Sequence, residues 1–272
     1  MTKTIFITGA SRGFGRIWTE AFLKRGDNVV ATVRNLDALT ALTKEFPSNL
    51  LVLKLDVTDK KASFEAIEAA KKHFGTINVL INNAGFGHVG AVEELDEKEV
   101  RAQFETNLLG SLWTIQAVLP IMREQKSGQI IQLSSALGIN TVPLMGLYSA
   151  AKFAIEGLTE TLAGEVSGFG IKVTIVEPGG YATDFFGSNS LAVSSSVSAY
   201  DAIRKDFYEH AGDQDSGKPT ATSGAILSLV DAENPPLRLT LGKIAFPWIR
   251  HTYEARLKTW ESWQDVSVMA HG

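Results

Sequence analysis

The chain has 272 residues, of which 44% are hydrophobic and none is cysteine, and its formal net charge at pH 7 is −4. This length and hydrophobic content allow one substantial core, while the lack of cysteine excludes disulfides and thiolate metal sites and is typical of the reducing cytosol. The net negative charge gives no basic field for nucleic acid, and no apolar run approaches the ~20 residues that span a bilayer, so we expect a cytoplasmic protein without nucleic-acid or membrane partners.

Short apolar segments alternate with helical patterns along the chain. The predicted strands are Thr4–Thr8, Asn28–Val33, Leu50–Leu55, Val79–Asn82, Gln129–Ser134, Lys172–Val176 and a last one near Leu237–Leu241. The predicted helices include Leu36–Glu45, Lys60–His73, Glu97–Arg123 and Tyr148–Val166. Pro120, inside the third of these helices, predicts a kink or an early end there. This alternation predicts an α/β fold over residues 1–272, a single-domain Rossmann-type doubly wound parallel sheet with helices on both faces.

The first turn of the chain is rich in glycine. It reads Thr8-Gly9-Ala10-Ser11-Arg12-Gly13-Phe14-Gly15, and it joins the first strand to a helical pattern. Glycine lets the backbone approach a pyrophosphate, whose charge is received by the free N–H groups at the start of the helix. A glycine turn without a ligand is the alternative for this motif alone.

Tyr148 and Lys152 are four residues apart in a predicted helix. Side chains at this spacing lie on one face, so their polar ends can meet. A free phenol has a pKa of about 10, and a fixed ammonium beside it favours the phenolate and lowers that pKa. The pair is therefore a candidate proton donor and acceptor. An isolated match of this kind arises by chance on many helix surfaces, but here Ser135 stands just upstream, at the end of the fifth strand.

Together these residues resemble the short-chain dehydrogenase/reductase family, and the match runs through most of the chain. Thr8 to Gly15 is similar to the cofactor turn of that family, and Asn82-Asn83-Ala84-Gly85 to the motif after its fourth strand. Phe14, Gly180 and Tyr181 depart from the usual pattern. The catalytic residues implied by the resemblance are Asn107, Ser135, Tyr148 and Lys152.

The resemblance also implies a role for each catalytic residue. Ser135 would hydrogen-bond the carbonyl oxygen, and Tyr148 would protonate it. Lys152 would hold down the pKa of the phenol and bind the nicotinamide ribose, and Asn107 would position a water that connects Lys152 to solvent.

The same resemblance implies a nicotinamide dinucleotide as cofactor. The residues expected to bind it are Gly9, Ser11, Arg12, Gly13, Phe14, Gly15, Arg34, Asp56, Val57, Asn83, Ala84, Gly85, Tyr148, Lys152, Pro178, Gly179, Tyr181 and Thr183. Asp56 resembles the residue that contacts the adenine, and a helix N-cap feature is its alternative.

Two arginines indicate which dinucleotide binds. In NAD-binding folds an acidic residue ends the second strand, but here that strand runs into Arg34, and no carboxylate precedes Asp37. Arg34 and Arg12 can offer planar sets of donors to a 2′-phosphate. Both could instead be solvated surface arginines. Their joint presence predicts NADP (NADPH).

Residues Asp184–Pro219 are rich in serine, glycine and charge, which is typical of a mobile lid, and the family places a substrate flap there. The predicted substrate contacts are Ser135, Leu137, Leu144, Met145, Tyr148, Phe185 and Phe186, with Val142 and Tyr181 as further wall candidates. These mostly apolar side chains suit a hydrophobic ketone or aldehyde, or its secondary alcohol. Core packing is the alternative for Phe185 and Phe186.

The five histidines are scattered without ligand spacing, so no metal is expected. His88 could border the substrate, although a plain loop histidine is the favoured interpretation.

Residues 242–272 are predicted to form a C-terminal helical extension. Ile249, Tyr253, Leu257 and Trp260 recur at helical spacing, which indicates an amphipathic helix. Packing on the core is the favoured interpretation, ahead of a subunit contact or a membrane-surface role. The helices Glu97–Arg123 and Tyr148–Val166 resemble those that join subunits in the family, so a homodimer or homotetramer is expected.

The features combine into the prediction of an NADP-dependent carbonyl reductase or alcohol dehydrogenase, with Tyr148 as general acid and base. Two alternatives stay open, namely an NADP-binding redox sensor without turnover and an epimerase or dehydratase of the same fold. The intact set of Ser135, Tyr148 and Lys152 argues against the sensor.

Overall fold

The structure, a computed structural model, describes residues 2–183, 190–210 and 216–272. Its strands are β1 (Thr4–Ile7), β2 (Asn28–Val33), β3 (Leu50–Lys54), β4 (Val79–Asn82), β5 (Gly87–Val89), β6 (Gly128–Leu133), β7 (Ile171–Pro178), β8 (Leu191–Val193) and β9 (Arg238–Leu241). Its α-helices are α1 (Gly13–Arg25), α2 (Thr40–Glu45), α3 (Lys60–Phe74), α4 (Glu97–Phe104), α5 (Gly110–Gln125), α6 (Gly146–Val166), α7 (Asp201–His210), α8 (Thr222–Asp231), α9 (Ala245–Ser262) and α10 (Gln264–Met269).

Within these ranges, the strands form a seven-stranded parallel sheet in the order β3-β2-β1-β4-β6-β7-β9. β5 and β8 pair separately as a two-stranded parallel ladder. The predicted Rossmann-type doubly wound sheet is confirmed, and the predicted strand ends lie within two residues of the observed ones.

Helices cover both faces of the sheet, because successive side chains of each strand point to opposite sides. Ile5 and Ile7 of β1 belong to a buried cluster with Trp18 of α1, whereas Phe6 between them packs with Ile67 of α3 on the other face. Both faces of the strand are therefore apolar, which explains why the strands read as continuous hydrophobic runs rather than as alternating ones.

The long helical region 97–125 differs from the prediction at its centre. Pro120 does not end it, since α5 continues to Gln125. A π-helical segment, Glu105–Leu109, separates α4 from α5 and contains the buried Asn107. Single π-helical turns inside helices are frequent at functional sites.

The C-terminal extension is helical, as predicted, but its expected packing on the core is wrong for most of its length. Ile249 is buried, next to Ala245 and Ile139. Tyr253, Leu257 and Trp260 are instead 43%, 50% and 60% exposed. Of the predicted apolar face, only Ile249 therefore packs on this chain's own core.

Across the described part of the chain, helices that combine enough length with enough hydrophobicity to cross a bilayer are absent.

Candidate active site

The carboxyl ends of the parallel strands share one edge of the sheet, and a cavity of about 880 Å³ lies along it. Ligand pockets are typically about 300–1,000 Å³. Most of the residues predicted from the sequence line this cavity: Gly9, Ser11, Arg12, Gly13, Phe14, Arg34, Asp56, Val57, Asn83, Ala84, Gly85, Ser135, Leu137, Met145, Tyr148, Lys152, Pro178, Gly179, Tyr181 and Thr183. One continuous cavity thus joins the glycine turn to the tyrosine–lysine pair.

The glycine turn packs tightly against the segment after β4. A Cβ atom on Gly9, whose φ is +67°, would lie 2.9 Å from the Cα of Ala84, and one on Gly15 would lie 2.4 Å from the carbonyl oxygen of Gly9. Asn83 Nδ2 donates to the carbonyl oxygens of Thr8 and Gly9 at 2.9 and 3.0 Å. Gly15 is therefore needed for the shape of the turn and does not itself line the cavity.

Asp56 does not cap a helix. Its carboxylate accepts hydrogen bonds from the backbone N–H and the hydroxyl of Thr58, at 3.0 and 2.8 Å. The N-cap of α3 is Asp59, whose carboxylate accepts from the N–H of Ala62 at 2.9 Å. The N-cap alternative for Asp56 is thus replaced by a local turn that holds its carboxylate at the cavity wall.

Ser135, Tyr148 and Lys152 form a compact polar group. The Lys152 ammonium donates to the carbonyl oxygen of Leu133 at 2.9 Å and lies 5.6 Å from the centroid of the Tyr148 ring. Ser135 hydrogen-bonds Tyr148, and its Oγ accepts from the N–H of Leu137 at 3.1 Å. Because Tyr148 and Lys152 are both buried, α6 presents a phenol and an amine to a site largely shielded from water.

Burial sets the protonation of this group. It raises the pKa of Tyr148 above its usual value, and the hydrogen bond with Ser135 only partly offsets this effect. It also lowers the pKa of Lys152 to about 8, against the opposing influence of the Glu156 carboxylate. Burial thus acts against the predicted lowering of the Tyr148 pKa by Lys152, and that lowering stays a prediction. Tyr148 is a protonated donor at neutral pH.

Asn107 lies behind the cavity wall rather than in it. Its Oδ1 accepts from the N–H of Phe86 at 3.1 Å, and its Nδ2 donates to the carbonyl oxygen of the same residue at 2.9 Å. The side chain thus fixes the loop that carries Gly85. Its predicted role in positioning a water stays a prediction.

The substrate end of the cavity agrees with the sequence only in part. Leu144 does not line the cavity, because its backbone is left-handed, with a φ of +68°, and its side chain joins a buried cluster with Val89 and Ala91. Phe185 and Phe186 lie outside the described residues. Sequence reasoning missed several lining residues from the region after residue 189: Ser190, Leu191, Ala192, Asp206, Phe207, Ser216, Ile244 and Trp248. The composition of Asp184–Pro219 indicated a substrate flap around the first six without identifying any of them, and no motif indicated Ile244 or Trp248.

Part of the predicted lid is attached to the body by polar contacts. Glu94 accepts from the Val197 N–H at 2.7 Å and pairs with Arg204 at 2.5 Å. His88, which is buried in β5 and does not line the cavity, lies 3.3 Å from the hydroxyl of Ser194. The predicted mobility of Asp184–Pro219 stays a prediction, and two stretches of it (184–189 and 211–215) lie outside the described residues.

We expect Glu94→Gln to loosen this attachment. The Val197 N–H and Arg204 lower the pKa of Glu94 to about 2, so the Glu94 carboxylate is charged at neutral pH. The uncharged amide of glutamine cannot form the ion pair with Arg204. Amide hydrogen exchange in residues 191–204 should become faster. Glu97→Gln is the matched control, because Glu97 pairs with Arg101 on an exposed helix surface. Unchanged exchange in the Glu94 variant would show that other contacts hold the segment, such as β5–β8 pairing and the hydrogen bonds of Ser194 to Glu99 and of Tyr200 to Glu93.

Comparisons with known proteins agree with the geometry. A family model described as short chain dehydrogenase matches residues 3–193. The chain is 39% identical to oxidoreductase BOA17 of Botryotinia fuckeliana, over 98% of this chain and 99% of that protein. It is 36% identical to 3-ketodihydrosphingosine reductase of Bacteroides thetaiotaomicron, over 89% of this chain and 88% of that protein.

Solved structures give the same picture. A short-chain dehydrogenase from Streptomyces avermitilis superposes with a TM-score of 0.91 at 37% identity, over 98% of this chain and 97% of that one. The structure of ElxO with NADP bound superposes with a TM-score of 0.73 at 26% identity, over 88% of this chain and 97% of that one.

Proposed function

Because this chain belongs to the short-chain dehydrogenase family and is an oxidoreductase, we propose that it is an NADP(H)-dependent carbonyl reductase or alcohol dehydrogenase acting on hydrophobic ketones or aldehydes. The observation that carries the proposal is the group formed by Ser135 with the buried Tyr148 and Lys152, in the same cavity as the glycine turn. The NADP bound to ElxO is a further support for the cofactor.

The residues of the glycine turn fit a dinucleotide. A Cβ atom on Gly13 would meet nothing within 4 Å, so open space lies over the backbone at the start of α1. N–H groups at a helix N-terminus bind phosphate there. Arg12 and Arg34 line the same cavity and suit a 2′-phosphate, since guanidinium groups bind phosphate oxygens in pairs.

The chemistry divides between cofactor and protein. NADPH held by the glycine turn, Arg12 and Arg34 would supply the hydride for the carbonyl carbon. Tyr148 gives its proton to the carbonyl oxygen, which yields the alcohol, and Ser135 hydrogen-bonds that oxygen as its negative charge grows. The Lys152 ammonium then stabilises the phenolate of Tyr148 until solvent returns a proton. The raised pKa of Tyr148 keeps the donor protonated at the start of each reduction.

The cavity wall favours a hydrophobic substrate. Leu137, Val142, Met145, Phe207 and Trp248 line it with apolar or aromatic surface. The relative from Bacteroides thetaiotaomicron is named as a reductase of a keto compound, 3-ketodihydrosphingosine, which supports a ketone here.

A screen of NADPH oxidation with ketones of graded chain length and polarity tests the proposal. We expect turnover that increases with the apolar part of the ketone, with one alcohol formed per NADPH consumed. NADPH binding without turnover of any ketone would favour the redox sensor. Product formation with substoichiometric NADP consumption would favour an epimerase or dehydratase.

Cofactor preference gives a second, independent result. If Arg34 and Arg12 bind the 2′-phosphate, kcat/KM should be higher with NADPH than with NADH by roughly tenfold or more, since about 1.4 kcal/mol corresponds to each factor of ten. Hydrogen bonds to charged groups contribute about 1.5–3 kcal/mol each, so one such bond to the 2′-phosphate is enough for a tenfold preference. Arg34→Asp should erase or reverse it, because the carboxylate repels the phosphate and accepts from a free 2′-hydroxyl.

Lys54→Asp is the matched control for that substitution. It makes the same change of charge at the end of β3, next to β2, but Lys54 is exposed and does not line the cavity. The control should retain the preference for NADPH. Equal use of both cofactors by the unmodified enzyme would refute the assignment of Arg34.

A further inference from the structure

Helix α9 carries a stripe of large apolar side chains that the rest of the described chain leaves exposed. The α9 stripe consists of Phe246, Tyr253, Leu257 and Trp260, which are 59%, 43%, 50% and 60% exposed. Their spacings of seven, four and three residues place all four on one face of the helix. Contiguous exposed apolar surface of this kind is uncommon on monomers and marks interaction sites.

The first turns of α9, on the side next to the stripe, attach the helix to the body. Ala245 and Ile249 pack with Ala136 and Ile139, and the Arg256 guanidinium donates to the carbonyl oxygen of Ile139 at 2.6 Å. The helix is therefore fixed in orientation, and the stripe stays exposed beside these contacts. A partner would meet a preformed surface.

The composition of the exposed face favours a protein partner over a lipid surface. Aromatic residues and arginine are enriched at protein interfaces and among the residues that dominate their energetics. Helices that lie on membranes instead carry a basic polar face. The polar side of α9 carries Arg250 and Lys258 against Glu254 and Glu261, while Arg256 is turned to the carbonyl oxygen of Ile139.

The charges beside the stripe are arranged for self-pairing. Arg250 and Glu261 are eleven residues apart, about three helical turns, so they lie on the same flank at opposite ends of the stripe. In an antiparallel pair of identical helices, Arg250 of one copy lies opposite Glu261 of the other, and Tyr253 lies opposite Leu257. A parallel pair would not bring Arg250 and Glu261 together, because they lie at opposite ends of the helix.

We propose that α9 pairs antiparallel with α9 of a second copy of this chain. Twofold symmetry makes each contact occur twice, which doubles the benefit of one complementary charge pair. Arg256 of α9 lies over the ring of Phe153 of α6, at 5.6 Å from its centroid, so the interface borders α6. It forms a dimer alone or joins dimers that α4, α5 and α6 form.

Analytical ultracentrifugation over a range of protein concentrations tests the pairing. Leu257→Asp with Trp260→Asp should halve the mass of the associated species. Arg250→Glu and Glu261→Arg, each alone, should raise the dissociation constant roughly tenfold or more, because each places like charges together. The double variant Arg250→Glu/Glu261→Arg should recover most of the affinity, since it restores opposite charges in reversed order.

Lys61→Glu is the matched control for the single variants. Lys61 pairs with Glu65 on the exposed surface of α3, with the same four-residue spacing as Arg250 and Glu254 on α9. The substitution breaks the α3 pair and should leave the mass of the associated species unchanged. Circular dichroism and NADPH binding check that every variant is folded.

Three results would overturn the proposal. One is a mass that none of the α9 variants changes, and another is a double variant no better than its single parents. The third is that the unmodified protein sediments with phosphatidylcholine–phosphatidylglycerol vesicles, while the Leu257→Asp/Trp260→Asp variant does not and has the same mass as the unmodified protein. That result would assign the stripe to a membrane surface.

Discussion

Tyr148→Phe should lower kcat for ketone reduction by roughly 10²–10⁴-fold, the usual contribution of a positioned general acid. The substitution removes one oxygen and leaves the ring, which keeps its buried place above the Lys152 ammonium. Burial keeps the phenol protonated at neutral pH, so the unmodified enzyme has a proton ready for the carbonyl oxygen of the substrate. The phenylalanine variant has no such proton. NADPH affinity, measured by quenching of tryptophan fluorescence, should change by less than about threefold, because the hydrogen bonds of the glycine turn are untouched.

Tyr181→Phe is the control for this result. Tyr181 lines the same cavity, and its ring packs edge-on against Phe14 with a centroid separation of 5.2 Å, so phenylalanine preserves the packing there. Its hydroxyl has no assigned part in proton transfer, and kcat should stay near that of the unmodified enzyme. A Tyr148 variant with a near-normal kcat, or a Tyr181 variant that loses as much, would contradict the assignment of the acid.

The positions of the site residues could be predicted because the parallel topology of the sheet determines which edge they share. Apolar runs such as Asn28–Val33 identify strands by composition, and alternation with helices requires them to be parallel. Residues that follow the strands, including Gly9, Asn83 and Ser135, must then gather at one edge of the sheet. No detail of side-chain packing is needed for that inference.

Features that depend on three-dimensional burial could not be predicted. Leu144 follows Pro143 in a turn, and nothing in the sequence indicates the left-handed backbone that directs its side chain into the core. The spacing of Tyr148 and Lys152 shows that they are close but not how far water is excluded, and water exclusion decides both pKa values. Helical periodicity likewise finds the apolar face of α9 without showing what that face contacts.

The second large effect concerns Lys152. Lys152→Met should lower kcat/KM by roughly 10²-fold or more and weaken NADPH binding as well, since we assign the ammonium both to stabilising the phenolate of Tyr148 and to holding the nicotinamide ribose. Methionine is similar in length, so it keeps much of the packing while it removes the charge. Loss of turnover with unchanged NADPH affinity would contradict the second of these roles.

The pH dependence of the unmodified enzyme should report the same group. With a pKa of about 8, Lys152 is an ammonium below that pH and loses its charge as the pH rises through it. The kcat/KM for ketone reduction should therefore be constant near pH 7 and fall on the alkaline side of about 8. The NADPH dissociation constant should rise over the same range. Lys152→Met should show neither transition.

Glu156 allows the assignment of this alkaline transition to be tested without removing the lysine. Its carboxylate, one turn along α6, favours the ammonium and so raises the pKa of Lys152, against the effect of burial. Glu156→Gln should therefore move the alkaline fall in kcat/KM to a lower pH. Glu160→Gln is the matched control, because Glu160 pairs with the same Arg238 at 2.8 Å from an exposed position. If both variants shift the transition equally, the ion pairs of Arg238 control it through structure; if neither does, it belongs to a group other than Lys152.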